Sequence, residues 1–550
     1  MVNFSMRAGI PAAAIAALAS CATTALAADM DAMVTKAPPV VSAAAAGPSS
    51  CTTLYGFFLT DCQLIWYGVR FYGTVDLGGL YQTHGTPFDK NFPTGASYIV
   101  GAGGTGATNR TAGWGLAPNA LSQSNVGVEI KEPVAPGGWT FVARGELAFD
   151  PYSGLLANAP QALQDAKGTA QNTEALPFDS SRWGWLNTNQ YVGLSQPFWG
   201  TLTFGRQNTL QLDEINAYDA MGGSYAFSPI GYSGKAGGSG DTEDARWTTA
   251  IKYRVNFGDW LRIGVMGQPI GGSNGGYNSY NPNNGAIAGN IGTDIRHLGP
   301  GLLSMDVVGT YERDAVNISA MYPGQVLNAT GTPHTFPADA ALKATLSNQA
   351  TVSVAGKYSF GSWGPEQPLV AKAPTAPPPV FPLTLYAGYE WIQFSNPSDP
   401  QNTSFIDDGF TFNNSGGVNH GSIATANLTS INNNAFNSLC GTGTGCGNEI
   451  FQVFWAGAKY GITRDLDITG AYYEYWQNQF VNGVGICVNP GAHSQCAGTF
   501  QVYSAVLDWR FLPKWDTYVG VVYSIAEGGI SNGDIQNNNL AGVGGVRFRF

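Results

Sequence analysis

The chain has 550 residues, and only 11% of them are charged, whereas soluble proteins carry about 25%. Its mean hydropathy is −0.07, and no apolar run after residue 28 approaches the ~18 residues of a membrane-spanning helix. The net charge of −11 argues against a nucleic-acid partner. The composition therefore excludes a bundle of membrane helices and a DNA- or RNA-binding protein, and it favours one large β structure.

The N-terminal 27 residues have the pattern of a signal peptide. Arg7 precedes the apolar stretch 8–19, and Ala25-Leu26-Ala27 matches a small-residue cleavage site. A second interpretation stays open, because Leu18-Ala19-Ser20-Cys21 resembles a lipoprotein box that would place a lipid on Cys21. Residues 28–65 are then an Ala- and Pro-rich lead-in with a possible Cys51–Cys62 loop. In either case, the pattern predicts export from the cytoplasm.

From residue 66 to 550 the chain alternates apolar and polar side chains in segments of about ten residues. In the first segment, Phe71 and Val75 oppose Tyr72 and Asp76. The pattern ends on the C-terminal strand, whose last residue is Phe550. Sixteen strands are predicted at 68–81, 122–132, 139–150, 185–195, 199–207, 245–256, 260–268, 290–298, 301–312, 349–359, 383–394, 449–461, 466–476, 500–511, 516–526 and 540–550.

Two folds suit such alternation, a soluble β-sandwich and a transmembrane β-barrel. The predicted strands are longer than the ~5–6 residues usual in soluble sheets, and aromatic residues cluster near strand ends as in membrane barrels. An even strand number also lets the first and last strands pair and close the sheet. We therefore predict an all-β, transmembrane antiparallel β-barrel of about 16 strands in the bacterial outer membrane.

Short and long connections alternate along the barrel. Tight turns such as 257–259 and 512–514 are predicted to face the periplasm, and long Gly- and Asn-rich stretches are predicted to be outer loops. One periplasmic turn is unusual, because residues 360–382 are long and rich in proline, which stiffens a connection.

The cysteines after the signal fall into close pairs, which predicts local disulfides in an oxidising compartment. The pairs are Cys51 with Cys62, Cys440 with Cys446, and Cys487 with Cys496. No C-x-x-C spacing occurs and the five histidines are scattered, so no metal site is predicted. The chain also lacks H-E-x-x-H and P-loop motifs, and we expect neither an enzyme nor a cofactor.

One hairpin carries a family resemblance. Tyr191-Val192-Gly193-Leu194, followed by Phe198-Trp199-Gly200-Thr201-Leu202-Thr203-Phe204-Gly205-Arg206-Gln207, resembles the general bacterial porins of Gram-negative outer membranes. In that family a Val-Gly-Leu strand and a Gly-Thr-Leu-Thr-x-Gly-Arg hairpin precede the loop that folds into the pore. The strand start at 71–76, the strand count and the terminal Phe550 resemble the family too, so the resemblance covers the whole mature barrel.

The resemblance implies a homotrimer of water-filled pores, each narrowed by its third outer loop, here residues 208–244. It also implies contacts with outer-membrane lipid and lipopolysaccharide. The barrel-assembly machinery would recognise the C-terminal strand that ends in Phe550.

In this family, loop acids face basic residues on the pore wall. The implied acidic side is Asp213, Glu214 and Asp219, and the implied wall residues are Arg144, Glu146, Arg246, Lys252 and Arg254. Alternatives without a role in the pore stay open. The acids could solvate a surface loop, and Arg246 could be a rim residue that pairs with Glu243 or Asp244.

The expected function is a passive diffusion channel for ions and small hydrophilic solutes. The resemblance often places wall arginines where this chain has Asn125 and either Asn189 or Gln190, and together with the negative net charge this predicts weak cation selectivity. A substrate-specific porin, for example for sugars, is an alternative in which aromatics such as Tyr72 or Tyr473 would form a track. A surface adhesin with the barrel as its anchor is a third candidate.

Overall fold

The computed structural model describes a large part of the chain, including all or most of each predicted strand. The described residues are 50–84, 112–154, 156, 187–230, 246–258, 260–268, 285–299, 301–318, 344–360, 383–395, 448–463, 465–480, 486–488, 496–531 and 536–550. The predicted signal peptide, the Cys440–Cys446 pair, residues 361–382 of the Pro-rich turn and most of the long outer loops lie outside these residues.

Eighteen strands form one sheet in the described part of the chain. They are β1 (Leu64–Trp66), β2 (Val69–Gln82), β3 (Gly113–Leu116), β4 (Asn125–Ala135), β5 (Trp139–Ala148), β6 (Gln190–Gln196), β7 (Gly200–Asn208), β8 (Arg246–Phe257), β9 (Leu261–Gln268), β10 (Ala286–Leu298), β11 (Gly301–Ile318), β12 (Ala344–Phe360), β13 (Leu383–Ser395), β14 (Glu449–Gly461), β15 (Leu466–Gln477), β16 (Gly498–Leu512), β17 (Trp515–Gly528) and β18 (Asn538–Arg549). The described residues also contain two α-helices, α1 (Leu54–Leu59) and α2 (Leu210–Tyr218), and short 3₁₀ turns at Ile486–Val488 and Gly529–Ser531.

The sheet closes into an antiparallel barrel. β2 and the fifteen strands from β4 to β18 each pair with their neighbours, and β18 pairs back with β2, from Arg549 opposite Thr74 to Ala541 opposite Gln82. The short strands β1 and β3 pair with the two ends of β2. The prediction of a sixteen-stranded barrel is therefore confirmed.

The apolar face of the strands points outward. Along β17, Val519 and Val521 are exposed by 60% and 52%, while Tyr518, Val522 and Ser524, which share the inward face, are buried. A soluble sandwich would instead bury its apolar face in a core. An outward apolar surface is what a barrel presents to lipid, so the sandwich alternative is not supported. Among the described helices, neither is long and apolar enough to cross a membrane.

Residues 50–66, which the sequence groups with the lead-in, are packed onto the barrel. The Thr53 hydroxyl caps α1 by accepting the Gly56 N–H at 3.0 Å. The Phe57 ring lies edge-on to the ring of Phe550, with the centroids 5.2 Å apart. Lys514 Nζ donates to the Phe57 carbonyl at 2.9 Å. This short helix therefore covers the junction where the last strand meets the first.

Two disulfides occur in the described residues, Cys51–Cys62 beside α1 and Cys487–Cys496 before β16. Both are pairings expected from the sequence. Because each joins residues close in the chain, each staples one local loop and leaves the barrel to be held by its strand pairing.

Two connections enter the barrel interior. One is the segment 117–124 between β3 and β4, and the other is the segment 209–230, which follows β7 and contains α2. Gly520 on the wall allows the second segment to approach closely, because a Cβ there would lie 2.5 Å from the Phe227 ring. These two inward segments build the site described next.

Candidate functional site

Helix α2 lies inside the barrel with one face on the wall. Thr209 caps it by accepting the Leu212 N–H at 3.2 Å. Leu210, Leu212 and Ile215 are almost fully buried. The opposite face carries Asp213, Asn216 and Ala217, which border an open cavity. The i, i+3, i+4 spacing of the second group places it on one side of the helix.

The wall face of α2 is bound by side chains from several strands. Gln211 donates to Glu390 of β13 at 2.8 Å, and Glu214 accepts from the Ser353 hydroxyl of β12. The Tyr218 hydroxyl donates to Asp306 of β11. These polar bonds run across the lumen to wall strands far along the chain, so they hold the helix at a set position in the barrel.

Beyond α2 the chain is tied to the next part of the wall through Asp219. Its carboxylate accepts the Tyr473 hydroxyl at 2.6 Å and the N–H groups of Met221 at 3.2 Å and Gly223 at 2.8 Å. Burial raises the pKa of Asp219 even though these hydrogen bonds act to lower it. The Trp455 indole donates to the Tyr218 carbonyl at 3.2 Å, next to this anchor.

A polar cavity of about 410 Å³ separates α2 from the wall formed by β2 and β4 to β8. Its lining includes amide and hydroxyl groups, among them those of Asn125, Asn189 and Tyr191. The charged side chains in the lining are Glu129, Lys131, Arg144, Glu146, Asp213, Arg246, Lys252 and Arg254.

Asp213 connects the helix to the cationic wall. It accepts from Lys252 Nζ at 2.5 Å and from the Arg254 guanidinium, both on β8. Burial alone would raise the pKa of Asp213, but the two cations outweigh it and hold that pKa below the ordinary carboxyl value. The carboxylate therefore stays ionised at neutral pH as the shared counter-ion of two cations.

The opposite part of the wall holds a second charged group. Arg144 pairs with Glu146, and the guanidinium lies 4.9 Å from the centre of the Tyr72 ring. Glu146 also accepts the hydroxyls of Tyr72 at 2.8 Å and Thr188 at 2.7 Å. Arg246 donates to Gln123 Oε1 at 3.2 Å, which bridges β8 and the inward segment 117–124.

The structure brings most of the sequence-predicted residues to this cavity. Asp213 and all five predicted wall residues border it, namely Arg144, Glu146, Arg246, Lys252 and Arg254. Two expectations are corrected, because Glu214 and Asp219 do not border the cavity and instead bind the barrel wall. One helical position, about 100° of rotation, separates the wall-facing Glu214 from the cavity-facing Asp213.

Sequence reasoning missed other lining residues. Lys131 and Glu129 share the polar parity of β4, so strand alternation could have identified them. Ser122 and Gln123 lie in the segment that leaves the sheet, and no local pattern marks them. Glu243 and Asp244, the alternative partners of Arg246, lie outside the described residues.

One comparison with known proteins shows a family for this chain. A family model for Gram-negative porins matches residues 12–529. No curated protein matches the chain. The chain is similar to the solved anion-selective porin of Comamonas acidovorans, with 12% identity, coverage of 88% of this chain and 99% of that chain, and a TM-score of 0.47.

Two other solved structures are similar over comparable lengths. The loop-deletion form of OmpT from Vibrio cholerae is 14% identical, with coverage of 88% and 99% and a TM-score of 0.47. The outer membrane channel DcaP of Acinetobacter baumannii is 12% identical, with coverage of 88% and 97% and a TM-score of 0.45. Because the family model spans nearly the whole chain and the chain folds as a closed barrel with an outward apolar face, this protein belongs to the Gram-negative porins, the channels of the bacterial outer membrane.

Proposed function

We propose that the protein is a passive diffusion channel for ions and small hydrophilic solutes, with its constriction between α2 and the cationic wall. The observation that carries this proposal is the polar cavity bordered by Asp213 on one side and by Arg144 and Arg246 on the other. Oppositely charged walls set up a field across the passage, and a pore needs no tight binding site because a solute must also leave.

The ion preference proposed here differs from the sequence-based expectation. The cavity lining contains five cationic and three acidic side chains among the described residues. Asp213 is shared by Lys252 and Arg254, so it adds little free negative charge. Because the charges along the passage outweigh the net charge of the molecule in steering ions, we propose a weak preference for anions instead of cations.

The first test is the current through the refolded protein in a planar bilayer with a KCl gradient. We expect a zero-current potential of the sign that indicates chloride preference. Arg246→Gln should reduce that preference, because it removes one lining cation.

Arg510→Gln is the matched control. It removes the same charge from a side chain that is 40% exposed and outside the cavity lining, so the potential should stay unchanged. A potential favouring potassium would support the original expectation of cation selectivity. Folded barrels without conductance would contradict the diffusion channel itself.

We also propose that the protein assembles as a homotrimer, with current steps in multiples of three as the readout. Outer-membrane lipid and lipopolysaccharide are the proposed surroundings of its exposed apolar face. The barrel-assembly machinery is the proposed partner of the C-terminal strand. In support of that partner, Phe550 exchanges backbone hydrogen bonds with Gly73 of the first long strand, at 2.9 and 3.0 Å, so strand closure ends at this residue.

A sugar-specific channel has less support. The two tyrosines named as candidates for an aromatic track form hydrogen bonds within the protein. The Tyr72 hydroxyl donates to Glu146, and the hydroxyl of the fully buried Tyr473 donates to Asp219. If a sugar nevertheless blocked the ion current at millimolar concentration, this alternative would replace the unspecific channel.

A further inference from the structure

The connection between β3 and β4 leaves the sheet and enters the lumen. β3 pairs with β2 at residues 79–82, and β4 pairs with β2 at residues 69–74. Between these two stretches, residues 117–124 do not continue the strand. Ala117, Asn119 and Ala120 have no exposed surface, so the segment is enclosed by the barrel.

Asp76 anchors this segment at its middle. One carboxylate oxygen, Oδ2, accepts the N–H groups of Leu121 at 2.8 Å and Ser122 at 2.7 Å. The other oxygen, Oδ1, accepts the Tyr518 hydroxyl at 2.6 Å. Asp76 has no exposed surface. Hydrogen bonds to an ionised acceptor are about twice as strong as neutral ones, and both backbone contacts of the segment with this side chain use the same oxygen.

The segment is also joined to the inward loop that carries α2. The Ala120 carbonyl accepts the Ser224 hydroxyl at 2.7 Å and the Ala226 N–H at 2.9 Å. On its other side the segment presents Ser122 and Gln123 to the cavity, where Gln123 meets Arg246. The two inward segments therefore contact each other and border the same passage.

We propose that residues 117–124 form a second constricting element of the pore and that Asp76 is the positioning residue that holds them there. Asp76 would set the aperture without lining the cavity itself. The proposal rests on the proposed function, because it takes this cavity to be the path of the permeating ions. The backbone of Asp76 also binds the segment, through its carbonyl to the Asn119 N–H at 3.2 Å and its N–H to the Ser124 hydroxyl at 2.9 Å. Loss of the carboxylate would therefore free the stretch around Leu121 and Ser122 and carry Gln123 away from Arg246.

Two substitutions distinguish the bonds of the Asp76 carboxylate to the segment from its bond to Tyr518 on the barrel wall. Asp76→Ala removes the acceptor of both backbone N–H groups. Tyr518→Phe removes only the bond to Oδ1, leaves both bonds to the segment, and keeps the ring beside Phe227. We expect Asp76→Ala to raise the single-channel conductance and the size limit for uncharged solutes, and Tyr518→Phe to conduct like the unchanged protein.

The fold is monitored in parallel by the compact, heat-modifiable migration of barrels on a gel. A purely structural role for Asp76 would lower the temperature at which this migration is lost without changing the conductance of folded channels. Folded Asp76→Ala channels with unchanged or reduced conductance would overturn the proposal. An unchanged protein without any conductance would instead overturn the proposed function.

If Asp76→Ala does not fold, Ser224→Ala provides the second variant. It removes the hydroxyl that links the two inward segments and does not alter the strand junction. We expect larger current fluctuations in the open channel, since the segment is then held to the loop by one backbone bond. Fluctuations equal to those of the unchanged protein would contradict the coupling of the two segments.

Discussion

Asp213 is the acidic side chain through which helix α2 binds the cationic residues of the barrel wall. Its carboxylate binds Lys252 at 2.5 Å and also Arg254. The neighbouring Glu214 points to the wall and binds Ser353. Two adjacent acids thus have different tasks, because consecutive helical residues point about 100° apart. Of these two acids, only Asp213 borders the cavity.

Asp213→Asn should strengthen the anion preference and weaken the fold. The substitution leaves Lys252 and Arg254 without their counter-ion in the passage. Loss of hydrogen bonds to charged groups costs about 1.5–3 kcal/mol. The zero-current potential in a KCl gradient measures the first effect, and urea unfolding in detergent micelles measures the second.

The difference in unfolding free energy between the unchanged protein and Asp213→Asn should depend on pH. Since the pKa of Asp213 lies below its ordinary value in the folded protein, its contribution is fully present above about pH 4, the ordinary range of the group. The contribution is lost as the pH falls through the lower folded pKa. A stability difference that persisted at a pH well below that range would contradict the ion-pair assignment.

At the level of elements, α1 and its disulfide act on the junction of the barrel. The loop closed by Cys51–Cys62 spans 11 residues, and α1 places Phe57 against Phe550. The Trp515 indole donates to the Phe58 carbonyl at 2.9 Å, which ties the helix to the start of β17. This arrangement covers the place where the barrel sheet closes.

Replacing Cys51 and Cys62 together by serine should lower stability without changing conductance. Chain-entropy arguments assign about 3 kcal/mol to a loop of this length. None of the contacts of α1 borders the cavity, so the ion current should be preserved. Faster hydrogen exchange of the amides at the start of β2 would be the direct readout.

The matched control is the pair Cys487→Ser and Cys496→Ser, which opens a loop of 9 residues before β16. That change should leave exchange at the start of β2 unaltered. An altered conductance in the first double variant would show that the N-terminal segment also contributes to the passage.

For the whole molecule, the outward apolar face and the charged passage together explain a chain with few charges. Charged residues are 11% of the sequence, and eight charged side chains line one cavity of about 410 Å³. The molecule is acidic, with a net charge of −11, yet the lining of this cavity contains more cations than acids among the described residues. If ions pass here, as proposed, these local charges should outweigh the net charge in setting the ion preference.

The ion preference should weaken as the salt concentration rises. The screening length is about 10 Å at 0.1 M and about 3 Å at 1 M, so wall charges act across the passage only in dilute salt. Zero-current potentials at a constant concentration ratio, measured at low and high salt, test this expectation. Equal potentials in both conditions would indicate that pore size, and not charge, sets the preference.

The strand pattern could be predicted from sequence because it is local. A side chain two positions along a strand returns to the same face, so the alternation identified all sixteen long strands. The strand predicted at 290–298 is longer in the structure and extends over Ala286–Leu298. The disulfides beside α1 and β16 could also be predicted from sequence, because each joins cysteines at most 11 residues apart.

The constriction was only partly predictable, because its contacts join residues that are distant in the chain. Asp219 binds Tyr473, and Asp76 binds the backbone at Leu121 and the hydroxyl of Tyr518. No local pattern tells a loop acid that faces water from one that anchors the loop. The alternation along the chain was enough to predict a closed outer-membrane barrel and the polar residues available to its lumen. Which of them border the cavity depends on the closure of the barrel, because closure brings strands that are hundreds of residues apart onto the same inward segments.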